Sequence, residues 1–215
     1  MSAGAVRKRG FPMQKEAQKR AENQLFIGID PGQTGGLGVI DANGQYYGAW
    51  RWDSKAPINI YNRLILCRDM VNIVYLELIQ TFPQESKGFI TRNQATLVNF
   101  GQWQGMLIAA GLPFVTISPL TWQSKMGLTS WQKKQKDGIV CHSPLSLARS
   151  IWPDAPMEHE ADSGKAVGLL LADLARRDSL AGIDRAAIQA QAQAHTKAKA
   201  KALLRMSKLY YYIKK

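Results

Sequence analysis

The amino-acid sequence predicts one α/β domain built on a mixed five-stranded sheet, with three antiparallel strands, further parallel strands and helices on both faces. Short apolar runs joined by turn residues come first, and later apolar runs are separated by helical patterns. This gives the order β-β-β-α-β-α-β followed by helices. The length of 215 residues and the hydrophobic share of 46% are sufficient for one substantial core and hardly for two.

The first three strands are predicted to form an antiparallel meander. Apolar residues indicate strands at about 24–30 and 36–41. The segment "DANG" at 41–44 predicts a hairpin turn, because Asn-Gly tolerates the positive φ angles that such turns require. The third strand is then "QYYGAWRW" at 45–52.

Later elements alternate between helices and strands. A leading proline and helical spacing of apolar residues predict a helix at 57–70. The nearly all-apolar "NIVYLELI" at 72–79 is typical of a strand buried on both faces, and 113–118 predicts a further strand. The remaining predicted helices are 91–110, a short helix beginning at "PLTWQSKMGL", 144–152 and 157–177.

The two ends of the chain differ in composition from the part between them. Residues 1–23 are polar and basic and are interpreted as a flexible arm. Residues 178–215 are rich in alanine, glutamine and lysine and are interpreted as a basic, helix-prone tail. The core domain is therefore predicted to span 24–177.

The charge of the chain favours a polyanionic partner. It carries 28 lysines and arginines against 16 acids, a formal net charge of +12. Nucleic acid is the commonest such partner, and a merely solvated basic surface is the alternative. Two cysteines in no CxxC pattern argue against a disulfide framework or zinc module. We find no signal-peptide pattern and no apolar run near the ~20 residues of a membrane span, and so expect a cytoplasmic protein without a membrane partner.

The first acid of interest is Asp30, which ends the first predicted strand within "LFIGIDPGQTGGLGVI" at 25–40. An acid followed by proline and several glycines can begin a turn, stand at the edge of a phosphate-binding loop or be the first ligand of a metal site. This segment alone does not separate the three possibilities.

A second acid, Glu77, lies inside the apolar strand "VYLEL". A carboxylate in a buried strand is costly unless a lysine, an arginine or a divalent cation compensates its charge. The alternative is a strand end that reaches solvent.

A third acidic cluster, "MEHEAD", precedes the apolar stripe of the last core helix. In a helix, His159 and Glu158 would share the face of Asp162, whereas Glu160 would point away. Acids in a first helical turn also simply complement the helix dipole. We expect Asp30, Glu77 and this cluster to converge at one end of the sheet, where hard oxygen ligands suit Mg²⁺ or Mn²⁺. Two such ions ~4 Å apart can activate a water and stabilise the leaving oxygen of a phosphodiester.

These motifs resemble the RuvC-type nucleases of the ribonuclease H-like superfamily, which include Holliday-junction resolvases of bacteria, phages and poxviruses. The resemblance covers about 24–177 and is carried by "IGIDPGQTGGLGVI", "VYLEL", "NFGQWQGMLIAAG", "FVTISPLTWQSKMGL" and "HEADSGKAVGLLLA". It implies a ribonuclease H-like fold with Asp30, Glu77 and Asp162 as metal-binding carboxylates. His159 stands where many relatives have aspartate, so it is implied as a ligand or proton-transfer group, with Glu158 in reserve.

The resemblance also implies a substrate and an assembly. Branched DNA, most of all a four-way junction, would be cut by a homodimer to leave 5′-phosphate ends, in a bacterium or a virus-infected host cell. The glycines after Asp30 would keep that corner free of side chains for the DNA backbone. Implied phosphate contacts are Lys125, Lys133, Lys134 and Lys136, with a solvated loop as the alternative. Phe82 and Phe89 are implied for stacking on bases, but packing of each ring under its own loop is the favoured alternative.

Two other functions fit parts of the pattern. A degenerate nuclease fold could retain DNA binding alone. "DPGQTGG" also resembles the phosphate-binding turn of the actin/hexokinase superfamily, in which glycine N–H groups bind nucleotide phosphates. Those proteins generally need a second domain and a second glycine-rich turn, and this sequence shows neither.

Overall fold

The computed structural model describes residues 24–79, 87–128 and 143–182. Their strands form one sheet in which the second strand runs antiparallel to the first and third, and the fourth runs parallel to the first and fifth. The α/β class and the mixed five-stranded sheet predicted from the sequence are confirmed. The strands are Leu25–Asp30 (β1), Gly36–Asp41 (β2), Tyr46–Arg51 (β3), Val71–Glu77 (β4) and Phe114–Ile117 (β5), in the order β3-β2-β1-β4-β5.

The helices of the described residues pack on both faces of this sheet. Two of the shorter ones follow a serine whose hydroxyl accepts a backbone N–H of the first turn: Ser118 from Thr121 and Ser143 from Ser146. No helix in these three segments is long and apolar enough to cross a membrane. The helices are Pro57–Cys67 (α1), Lys87–Ala109 (α2), Pro119–Lys125 (α3), Pro144–Ile151 (α4) and Ser163–Leu180 (α5), with 3₁₀ turns at Arg68–Met70 and Glu160–Asp162.

The hairpin between β2 and β3 contains a shift in register. The turn is closed by the Gly44 N–H, which donates to the Asp41 carbonyl, and Gly44 has a φ of 83°. The pairing shifts by one residue between Val39 and Ile40. Beyond the shift, Gly36 pairs with Arg51, so the side chain of Arg51 lies on the face of the sheet that α5 covers.

Helix α5 lies directly on β1 and β2 because glycines allow the backbones to approach. A Cβ atom on Gly28 would lie 2.1 Å from the carbonyl oxygen of Gly168, and one on Gly38 would lie 2.2 Å from the backbone nitrogen of Leu169. This contact fixes the start of α5 near the carboxyl end of β1. The buried residues that α5 adds to this half of the core are Ala166, Leu169, Leu170, Leu171, Ala172, Leu174 and Ala175.

The other face of the sheet is covered by α1 and α2. Leu64 and Leu107 pack there against residues of β1 and β2, and the rings of Trp52 and Trp103 lie 4.7 Å apart. This half of the core has no carboxylate among its buried residues, so the candidate site belongs to the α5 face.

The last core helix begins later than predicted. Residues 157–159 are not helical, and His159 has extended backbone angles, with φ −112° and ψ 157°. Asp162 ends a 3₁₀ turn, and α5 starts only at Ser163. The expectation that Glu158, His159 and Asp162 share one helical face is therefore wrong, because residues 157–159 are not helical.

Candidate active site

Asp30 and Glu77 lie side by side at the carboxyl ends of the neighbouring parallel strands β1 and β4. Ile29 pairs with Leu76, so each acid follows a paired residue. Asp30 Oδ1 accepts the backbone N–H of Gly32 at 2.8 Å. Glu77 Oε1 accepts Nε1–H of Trp122 in α3 at 2.8 Å. The sequence predicted that these two acids would meet at one end of the sheet, and the structure brings them together.

The two carboxylates are poorly compensated. Burial raises the pKa of Glu77, the charge of Asp30 raises it further, and the Trp122 hydrogen bond offsets only part of this, so that the pKa is about 7. Burial also raises the pKa of Asp30, against a lowering by the Gly32 N–H. In the described part of the chain no ion pair involves either acid. Such a pair is stabilised by a bound cation, and hard carboxylate oxygens are the donors that Mg²⁺ and Mn²⁺ prefer.

Asp162 has a different environment. Its buried Oδ1 accepts Nε of Arg51 at 2.9 Å, and it lies 2.8 Å from both Nη2 of Arg51 and Nζ of Lys165. Oδ2 accepts the backbone N–H of His159 at 3.1 Å. Burial raises the pKa of Asp162, but these hydrogen bonds and the charge of Lys165 outweigh it and hold the pKa well below its usual range. Two cations of the protein itself therefore compensate this acid.

A row of neighbouring residues crosses the sheet from Glu77 and Asp30 to Arg51, which in turn contacts Asp162. Gly36 pairs with Asp30 on one side and with Arg51 on the other, and Glu77 lies beyond Asp30. We call Glu77, Asp30, Gly36 and Arg51 the cross-strand row. Paired residues point to one face, and adjacent strands are about 4.8 Å apart. A Cβ on Gly36 would lie 2.9 Å from the backbone nitrogen of Lys165, so the start of α5 covers the row between Asp30 and Arg51.

The glycines after Asp30 serve this packing. A Cβ on Gly35 would lie 2.1 Å from the Asp30 carbonyl oxygen, and a backbone bridge joins Gly35 to Gly164. The expectation that these glycines leave the corner open for DNA is wrong at Gly35 and Gly36, because protein backbone occupies that space. The Gly32 N–H donates to Asp30 and the Gly35 N–H donates to the Gly32 carbonyl. Both N–H groups are thus engaged within the turn, which disfavours a nucleotide phosphate cradle.

The fourth predicted ligand is not assembled with the others. Glu158 and His159 are exposed in the extended segment before the 3₁₀ turn. Within residues 24–79, 87–128 and 143–182, no three histidine, cysteine, aspartate or glutamate side chains form a group that could hold a metal ion. The Asp30–Glu77 pair fits a cation, whereas Asp162 is already paired with Arg51 and Lys165.

The predicted DNA contacts are described only in part. Lys125 Nζ lies 2.8 Å from Oδ2 and 3.0 Å from Oδ1 of Asp178, which also accepts the Tyr75 hydroxyl at 2.9 Å. Lys125 is thus held by an internal acid, and its contact with phosphate stays a prediction. Phe89 lies in the first turn of α2, where only the backbone is described. The predicted contacts outside the described residues are Phe82, Lys133, Lys134 and Lys136.

Three side chains of the site were not selected from the sequence: Arg51, Trp122 and Lys165. A signal existed for Lys165, which is one helical turn from Asp162. Trp122 had no sequence signal beyond its place after a strand. The position of Arg51 could not be predicted from the sequence, because a regular hairpin without the register shift would have paired Trp50 with Gly36.

Among known proteins, this chain is similar to solved structures. No protein-family model matches the chain. A search of curated proteins found no match. A structure of RuvC from Thermus thermophilus is 21% identical, with 72% of this chain and 96% of that chain covered and a TM-score of 0.46. A second, T. thermophilus RuvC in complex with a Holliday junction substrate, is 18% identical, with coverages of 69% and 90% and a TM-score of 0.44.

Proposed function

We propose that this protein is a metal-dependent, structure-selective DNA endonuclease that cuts branched DNA, with the four-way junction as its main substrate. The observation that carries the proposal is the Asp30–Glu77 pair, two adjacent carboxylates with raised pKa values and no ion pair among the described residues. The net charge of +12 supports a polyanionic substrate.

The residues of the site have separate tasks in this function. Asp30 and Glu77 would hold Mg²⁺ or Mn²⁺, and the N–H groups of Gly32 and Trp122 fix the orientation of the two carboxylates. A divalent cation at such a pair supplies an activated water and stabilises the leaving oxygen of a phosphodiester. Hydrolysis would leave 5′-phosphate and 3′-hydroxyl ends. His159 and Asp162 complete the proposed ligand set, with Glu158 as the alternative to His159.

Paired cuts in a four-way junction need two sites, and we propose a homodimer whose contact lies on α2. Val98, Gly101, Gly105 and Ile108 recur at intervals of three and four residues and are exposed on one face of this helix. A Cβ on either glycine would have no described atom within 4 Å. A flat strip flanked by apolar side chains suits the close approach of the same helix from a second protomer.

A labelled panel tests the enzymatic function. Wild-type protein and Asp30→Asn are incubated with a four-way junction, a flap, a fork, duplex, single-stranded DNA and an RNA–DNA hybrid, in Mg²⁺, Mn²⁺ or EDTA. We expect symmetric cuts near the branch point of the junction by the wild type only, and junction affinity within a few-fold for the variant. Undiminished cutting by Asp30→Asn would refute the assignment of the site, and indiscriminate cutting would refute the preference for junctions.

Binding without cleavage is the second candidate, and one observation favours it. Asp162 is already compensated by Arg51 and Lys165, as expected of a site that has lost its need for metal. Junction binding with no product in either cation would establish this alternative.

A further inference from the structure

Arg51 and Lys165 both contact Asp162, but they are held differently. The Lys165 side chain is 12% exposed, and its Nζ also donates to the Pro156 carbonyl. The Arg51 side chain is 48% exposed, projects from the edge strand β3 and has Asp162 as its described partner. Of the two cations, Arg51 can therefore leave the carboxylate and enter solvent at the lower cost.

Arg51 is also the cation of the cross-strand row. It is separated from Asp30 by Gly36, which has no side chain, and the start of α5 brings Asp162 over the same part of the sheet. Asp30 and Glu77, which have no ion pair among the described residues, thus lie at the same end of the sheet as the Arg51–Asp162 pair. A divalent cation that bound all three acids would meet the guanidinium as a competitor for Asp162.

We propose that Arg51 is an internal counter-ion that a divalent cation displaces from Asp162, and that the released guanidinium then binds a DNA phosphate. Within the described residues no three side chains form a metal-binding group, and Asp162 holds Arg51 and Lys165 instead. Lys165 remains on Asp162 as a fixed cation. The guanidinium fork matches the oxygens of a phosphate as it matches those of a carboxylate, so Arg51 can exchange one partner for the other.

This inference rests on the proposed metal-dependent function, and its test measures binding rather than cleavage. Mn²⁺ binding is followed by the electron paramagnetic resonance signal of free Mn²⁺ in wild type, Arg51→Gln and Arg51→Lys. We expect Arg51→Gln to bind Mn²⁺ about tenfold more tightly than wild type, since a competing charge pair is lost, with Arg51→Lys in between. The matched control is Arg68→Gln, which removes the same charge from an exposed ion pair at the opposite end of β4.

The second measurement is junction affinity in EDTA and in Ca²⁺. In EDTA, Arg51→Gln should bind like the Arg68→Gln control, because Arg51 is engaged by Asp162. In Ca²⁺, it should bind several-fold more weakly, with a salt dependence reduced by about one phosphate contact. Circular dichroism and thermal unfolding show whether each variant folds. If Arg51→Gln does not fold, the comparison of wild type with Arg51→Lys tests the counter-ion role.

The possible outcomes distinguish a failure of the counter-ion role of Arg51 from a failure of the proposed metal-dependent function. If wild type binds Mn²⁺ and cuts the junction, but Arg51→Gln has unchanged or weaker Mn²⁺ affinity, the counter-ion role is wrong and the nuclease stands. If only the Arg51 variant binds Mn²⁺, the competition is confirmed. If neither protein binds Mn²⁺, both the counter-ion role and the metal-dependent function are refuted.

Discussion

Trp122 Nε1 lies 2.8 Å from Oε1 of Glu77 and donates a hydrogen bond to it, joining the short helix α3 to the carboxyl end of β4. Trp122 is almost completely buried, so the indole is both a core residue and a partner of the proposed catalytic acid. The hydrogen bond opposes the effects of burial and of Asp30 on the pKa of Glu77. A substitution that keeps an aromatic ring but removes the donor separates the two roles.

We expect Trp122→Phe to raise the pKa of Glu77 above its wild-type value and to move the midpoint of pH-dependent Mn²⁺ binding upward by roughly one pH unit. Loss of a donor to a partly buried carboxylate should also lower the free energy of unfolding by about 1–3 kcal/mol. Titration of Mn²⁺ binding at several pH values measures the first effect, and urea unfolding measures the second.

The control for Trp122→Phe is Trp103→Phe. Trp103 is equally buried on the opposite face, and its Nε1 has no hydrogen-bond partner among the described residues. The Trp103→Phe variant should be less stable because its ring is smaller, whereas the pH midpoint of Mn²⁺ binding should stay unchanged. An equal upward shift in both variants would mean that the hydrogen bond to Glu77 is not the cause.

The second prediction concerns stability without metal. The pKa of Glu77 is about 7 in the folded protein, whereas the usual pKa of a glutamate, which applies to the unfolded chain, is 4.5. Between these pH values the folded state binds the proton more strongly than the unfolded chain, so stability falls as the pH rises and stays reduced above 7. Glu77→Gln removes this effect and should raise the free energy of unfolding by about 2 kcal/mol at pH 8 in EDTA, with little change near pH 4.5.

Urea unfolding at both pH values measures the effect of Glu77→Gln. Asp69→Asn is the control, since it removes a carboxylate from an exposed surface ion pair. Added Mn²⁺ should stabilise the wild type and not Glu77→Gln. A gain of the same size at pH 4.5 and pH 8 would contradict a raised pKa.

The third prediction concerns the proposed homodimer. Val98→Asp places a charge in the exposed strip of α2 and should shift the protein to monomer, with loss of paired cuts but not of single nicks. Sedimentation velocity at several concentrations measures the assembly. Leu66→Asp on α1 is the control, because Leu66 is 83% exposed and Val98 59%, and Leu66 lies on another helix. A wild-type protein that sediments as a monomer at micromolar concentration would refute the dimer.

Much of the fold could be predicted from local pattern. The alternation of apolar residues, the Asn-Gly turn and the prolines before helices each act within a few residues, and they located the strands and most helices closely. The acids that end β1 and β4 follow from the same logic, because the carboxyl ends of adjacent parallel strands meet at one edge. Asp30 and Glu77 could therefore be paired from the sequence.

The start of α5 could not be predicted in this way. "MEHEAD" has the composition of a first helical turn, but residues 157–159 are not helical and His159 is extended. The helix begins where Gly164 meets the backbone of Gly35 and where Asp162 meets Arg51. These are contacts between residues far apart in the sequence, and they outweigh local helix propensity.

The sequence by itself determined the class of the sheet, the positions of its acids and the basic charge of the chain, because each depends on residue type and short-range period. Only the tertiary structure decided which of the described acids lie beside a cation of the described residues. One shifted residue in the β2–β3 pairing places Arg51, instead of Trp50, opposite Gly36 and on the face of Asp162. A strand reverses the face of its side chains with every one-residue change of register, so the charge balance of this site depends on a pairing that no local pattern encodes.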